Sequence, residues 1–184
     1  MTIPPKAVVW PANEPYQQAL GTFIEAFACT ESLLFAYVAD QSQMPPPIFR
    51  IVSSGWHIEG LVSFLKKVWA VFPLSPTASD MKSAVDQFME INGVRNNVIH
   101  YASELTMEGE RISTNAARKA ANKEEHRIIV SPEILSNMTK DLAKIGCHTM
   151  TVMMHPTKSL AERAKDMGLL ADAFLYKPNA NPPA

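Results

Sequence analysis

Apolar residues recur three and four places apart along most of this chain, the spacing that lines one face of a helix. Leu20, Phe23, Phe27, Leu34 and Val38 form the first such stripe and predict a helix from about residue 14 to about residue 40. Asn13-Glu14-Pro15 supplies a capping residue and an early proline at its start. Met44-Pro45-Pro46-Pro47 ends it, and Ile48 to Val52 reads as a short helical lead-in to the next element. Ile58, Leu61, Leu65, Val68 and Phe72 make a second core-facing stripe, stopped by Pro73 and Pro76. A third helix, capped by Thr77 or Ser79, carries Met81, Val85, Phe88 and Met89 and then turns polar.

After Tyr101 the period changes. Glu108-Gly109-Glu110 reads as a turn between stretches holding Leu105 and Ile112, which predicts a β-hairpin. The polar segment 113–127 reads as a loop or a fraying helix, and Arg127 to Val130 as a short strand. Ser131-Pro132-Glu133 is a strong helix start. Leu135, Met138, Leu142, Ile145, Thr149 and Val152 then alternate steps of three and four, the seam of a bundle. Pro156 breaks this helix, and Thr157 caps a short last one reaching about Asp172.

The expected fold class is all-α: a four- to five-helix bundle with a small β-hairpin excursion after the third long helix. Strands do not alternate regularly with helices, which argues against a doubly wound sheet. Residues 1–12, with Pro4, Pro5 and Pro11, read as an extended arm, 13–176 as one helical domain, and 177–184 as a disordered tail.

Bulk composition narrows the function classes. At 184 residues, 47% apolar and 19% charged, the chain fits one globular domain with a full core. A formal net charge of −1 argues against strong non-specific nucleic-acid binding through net charge, leaving room for a local basic patch. Cys29 and Cys147 sit apart within helices, which points to reduced buried thiols rather than a disulfide framework or zinc site. Residues 1–10 lack the pattern of a signal peptide, and no stretch reads as the roughly 18 apolar residues of a membrane span. The expected location is cytoplasmic, with no membrane partner.

The chemistry concentrates in Arg95-Asn96-Asn97-Val98-Ile99-His100, late in the third helix. Arg presents a fixed fork of donors suited to a phosphate. His exchanges a proton near neutral pH. On a helical wheel, Asn92, Arg95, Asn96 and His100 continue the side opened by Val85, Phe88 and Met89, so this face is apolar early and polar late. Asn96 and His100 are one turn apart and can touch. Arg95 and His100 are about 140° apart around the helix. They converge through the long Arg side chain or across a two-fold axis. The competing structural reading is that Arg95 and His100 satisfy free carbonyls and the dipole at the helix C-terminus.

An Arg, a polar residue, three further positions and a His, near the end of a long bundle helix, resembles the motif of the HEPN superfamily. The likeness extends over roughly residues 14–154 in its plan of long first helix, motif helix, β excursion and long last helix. It implies a metal-independent endoribonuclease acting as a homodimer without a cofactor, of toxin, defence or stress-response type. Arg95 matches the family's motif arginine, Asn96 its polar companion and His100 its motif histidine. The resemblance also implies an RNA substrate and an inhibitory or antitoxin protein as partner. Toxins paired with nucleotidyltransferase antitoxins carry Tyr two places after the His, where this chain has Ala102, with Tyr101 one place earlier. HEPN-like bundles without catalysis provide the alternative: a dimerisation, partner-binding or nucleotide-binding module.

Supporting positions complete the expectation. Glu31 falls within the apolar stripe of the first helix and wants a partner such as Arg95 or His100, unless it reaches water at the stripe's edge. Asn92 and Tyr101 flank the motif. Lys66, Lys67, Arg118 and Lys119 could track an RNA backbone, against the plainer reading of a solvated surface. His57, His126, His148 and His155 show no metal-ligand spacing and read as surface or edge residues. Met81, Met89 and Met138 read as core filler, and Trp56 and Trp69 as packing residues.

Overall fold

The computed structural model describes residues 14–71, 76–100, 103–105, 111–114, 127–154 and 174–178. Five helices are present among them: α1 (Glu14–Ser42), α2 (Pro46–Val52), α3 (Ile58–Val71), α4 (Pro76–His100) and α5 (Pro132–Met154). Three short strands follow α4: β1 (Ser103–Leu105), β2 (Arg111–Thr114) and β3 (Arg127–Ile129). The fold is the expected all-α bundle with a small antiparallel sheet. The predicted arm, Asn13, the last helix after Thr157 and the end of the tail lie outside the described residues.

Prolines set the early boundaries. α1 ends with Gln43 in the left-handed region at φ 53°, its N–H and side-chain amide both donating to the Asp40 carbonyl. Pro46 and Pro47 then open α2, where a missing N–H costs nothing. Gly55, at φ 78°, turns the chain into α3. Trp56 packs beside Phe49 and Phe64 in this corner, and Trp69 is buried, so both serve packing as expected.

The α5 seam is buried along its whole length, from Leu135 to Val152. Ser131 starts the helix as a cap, its Oγ accepting the Ile134 N–H at 3.1 Å. Ser131→Ala should lower stability by about 0.5–2 kcal/mol in a urea titration; an unchanged midpoint would mean the cap is idle. α1 lies along α5: Thr30 Oγ1 donates to the Leu142 carbonyl at 3.1 Å, and Gly146 lets Leu33 and Thr30 approach. Phe23, Phe27, Leu34, Tyr37 and Val38 enter the core from α1. α4 packs against α5 and, through Phe88, against Phe27.

Some expectations need correction. By length and composition α1 could cross a membrane, so a stretch does reach that threshold; the same features describe the core helix of a globular bundle. Cys147 is half-buried but Cys29 is exposed, not buried; both thiols are free. His148 is buried in α5 rather than at an edge. The hairpin is a three-stranded meander, because β3 pairs with β2 through Ile112 opposite Ile129 and Thr114 opposite Arg127. The ends of the polar segment 113–127 therefore lie in strands.

Gly21 and Gly93 sit inside α1 and α4 with no neighbouring atom within 4 Å of where a Cβ would stand. Each Gly→Ala change should stabilise the protein by about 0.5–1 kcal/mol, through lost unfolded-state freedom and better helix propensity. A fall in the denaturation midpoint for Gly21→Ala would show instead that this exposed face of α1 needs its flatness.

Candidate functional site

Position and packing distinguish the residues of the last α4 turns. Along one line of α4, Met81, Val85 and Phe88 are buried apolar residues, then Asn92 is buried and Arg95 half-buried. The apolar-to-polar switch predicted for this face is therefore present. It occurs inside the bundle, where each polar group needs a partner.

Arg95 is held in two ways. Its guanidinium lies over the Phe27 ring of α1, 5.3 Å from the centroid. Its Nη1 donates to the Asn96 Oδ1 at 2.9 Å. Phe27 in turn stacks on Phe88, at 4.8 Å between centroids and 24° between planes. Phe88 and Arg95 are two turns apart on α4, so one ring from α1 supports both. The Arg95 Nε is buried and has no hydrogen-bond partner among the described residues. A buried donor left open costs free energy, and an incoming anion would remove that cost.

His100 is the exposed last residue of α4 and makes no hydrogen bond among the described residues. Asn96 contacts Arg95 rather than His100, so the structure joins two of the three motif residues and leaves the third apart. The Asn97 carbonyl, one of the free ones at the helix end, accepts the Oγ of buried Ser113 at 3.0 Å. The sheet thus caps this end of α4, and Arg95 takes no part in it. That outcome weakens the capping reading of the arginine.

Other expected site residues fall elsewhere. Asn92, one turn before Arg95, donates to Glu59 Oε1 at 2.8 Å and ties α4 to α3. Glu31 is half-buried and forms no ion pair with Arg95 or His100 among the described residues. Lys66 pairs with Asp86 at 3.3 Å on the exposed side of α3 and α4, which offsets its charge, while Lys67 is exposed. Tyr101, Arg118 and Lys119 lie outside the described residues. No three of His, Cys, Asp and Glu gather as a ligand set among the described residues.

Two positions that organise the buried polar groups were missed in the sequence. Phe27 read only as core, although its place in the α1 stripe is what brings a ring under Arg95. Asp141 passed unnoticed although it interrupts the apolar seam of α5 between Met138 and Leu142; it is fully buried. No protein-family model matches this chain, and neither a curated protein nor a solved structure matches it.

Proposed function

We propose that this protein is a metal-independent endoribonuclease of HEPN type that works as a homodimer. The observation that carries the reading is the state of Arg95: stacked on Phe27, fixed by Asn96, and keeping a buried Nε–H without a partner. A guanidinium held this way is preorganised for a phosphate, because the order it needs is already built in. His100 stands at the solvent end of the same helix, open to a substrate and free to move a proton.

Within one chain the two side chains diverge around the helix. A two-fold pairing of α4 ends would set His100 of each subunit near Arg95 of the other and place two histidines at one phosphodiester. One would take the proton of the 2′-OH and the other would protonate the departing 5′-oxygen. Arg95 would stabilise the charge on the phosphorane. The products are a 2′,3′-cyclic phosphate and a 5′-hydroxyl end. The test is cleavage of a mixed RNA by purified protein in EDTA, with the 3′ ends identified by mass. Cyclic phosphate ends support the reading; intact RNA over a range of protein concentrations, or cleavage that needs a divalent ion, overturns it.

A second reading is a non-catalytic nucleotide-binding or partner-binding module. It is favoured by the bond from Arg95 to Asn96, which engages with the arginine a residue that could otherwise orient His100 or a phosphate oxygen. It predicts a nucleotide-dependent rise in melting temperature that disappears in Arg95→Ala, with no RNA cut.

A further inference from the structure

The carboxylate of Asp141 lies far from solvent in the middle of α5, with 0% of the residue exposed. Its bonds go to the C-terminal segment Phe174–Pro178. Oδ1 accepts the Leu175 N–H at 2.9 Å, and Oδ2 accepts the Tyr176 N–H at 2.8 Å. Gln87 of α4 donates its Nε2 to Asp141 Oδ2 at 3.2 Å and to the Tyr176 carbonyl at 2.9 Å. One carboxylate and one amide, from two helices, thus grip two successive N–H groups and one C=O of a non-helical segment.

Every bond that the segment makes here is a main-chain bond. Any pair of consecutive non-proline residues in this conformation offers the same three groups. Side chains add a coarse preference: Phe174 and Tyr176 pack against the core, whereas Leu175 is 46% exposed and Lys177 is exposed. The Tyr176 hydroxyl is held protonated to higher pH than usual, by burial first and by the Glu90 charge second. Asp141 needs donors, since a buried carboxylate stripped of them is costly. A clamp of this kind is built to be filled by peptide backbone.

We propose that Gln87 and Asp141 form a receptor for an extended peptide main chain, and that the chain's own Phe174–Pro178 segment occupies it as an internal competitor. The receptor selects a linear peptide with an aromatic residue on either side of one freely variable position and no proline at the two clamped N–H groups. It stands apart from the phosphate reading of Arg95 and does not depend on it. A tethered segment acts at an effective concentration on the order of millimolar, so a free peptide with the same contacts is shut out of the native chain at micromolar levels.

The test uses the full-length chain carrying Leu175→Pro and Tyr176→Pro, which removes both N–H donors and leaves Gln87 and Asp141 in place. The probe is a fluorescent, end-blocked Phe-Leu-Tyr-Lys-Pro peptide followed by anisotropy. Saturable binding is expected for the double-proline chain, at least about tenfold weaker binding for the wild type, and loss of binding when Asp141→Asn is added. A control peptide with proline at both clamped positions should not bind. Equal binding of the two peptides, or none to a double-proline chain with native helical circular dichroism, overturns the proposal. Should that chain fail to fold, the single Leu175→Pro chain takes its place: saturable binding of the Phe-Leu-Tyr-Lys-Pro peptide but not of the control peptide supports the proposal, and no binding to that chain with native helical circular dichroism overturns it.

Discussion

Phe88→Ala should destabilise the protein by about 3–5 kcal/mol, the cost of emptying a large aromatic site in a packed core. Phe88 is fully buried, and its ring stacks on Phe27. Removing it deletes apolar burial and leaves a cavity that helices α1, α4 and α5, tied to one another, close only in part. For a chain of this size the melting temperature should fall by roughly 10 °C. A urea titration reads the change directly, as a lower midpoint at an unchanged slope. The consequence reaches the site, because Phe27 would lose the surface that keeps its ring beneath Arg95. Phe88→Leu, which retains much of the volume, should cost clearly less. A loss under about 1 kcal/mol for Phe88→Ala would mean that this cluster is loosely packed, and the support inferred for Arg95 would fall with it.

On the proposed ribonuclease reading, His100→Ala should lower RNA cleavage by about 10²–10⁴-fold, the usual share of a general acid or base. His100 is exposed and unbonded among the described residues, so the fold should survive. The rival account gives the opposite pattern. A histidine that merely complements the α4 dipole contributes about 0.3–1 kcal/mol of stability and nothing to cleavage. Measuring both quantities on one variant separates the two. Lost cutting at constant stability assigns the proton transfer to His100. A small loss of stability with cleavage unchanged removes the catalytic role. Mixing wild-type with His100→Ala chains tests the shared site: because a mixed dimer holds only one of the two histidines, activity should fall as the square of the wild-type fraction, whereas a linear fall would give each subunit a site of its own.

Much of this architecture was legible in the linear pattern. The α5 seam and its Ser131 cap could be read because both obey local rules: a stripe at helical period and a hydroxyl three residues before the N–H that it accepts. Prolines marked the ends of α1 and the start of α2 because a missing donor and a fixed φ act at their own position. The polar turn after α4 announced a hairpin for the same kind of reason. The third strand was legible at Arg127 to Val130, but its partner was not, since β3 pairs with β2 across a long stretch of sequence.

The site divides along the same line. Its membership on α4 came from residue type: only a donor fork and a titrating ring suggest phosphate chemistry. Which motif residues meet was a tertiary outcome. Phe27 is far from Arg95 in sequence, yet it sets where the guanidinium lies. Asn92 turned to Glu59, Ser113 took the Asn97 carbonyl, and Glu31 stayed half-buried with no ion pair to Arg95 or His100 among the described residues. Asp141 is the sharpest case. Its neighbours Met138, Leu142 and Ile145 announce a buried seam, and a carboxylate there demands partners, but those partners are backbone groups of Leu175 and Tyr176. By itself the sequence determined the long helices, the Ser131 cap and the proline breaks, and it named candidates for phosphate chemistry, because these depend on neighbours within a turn or two; it misplaced the start of α4, where Thr77 and Ser79 lie inside the helix and not at its cap. Only the tertiary structure decided how the buried polar groups pair, because each pairing satisfies a desolvated group with whatever donor or acceptor the packing of distant helices delivers.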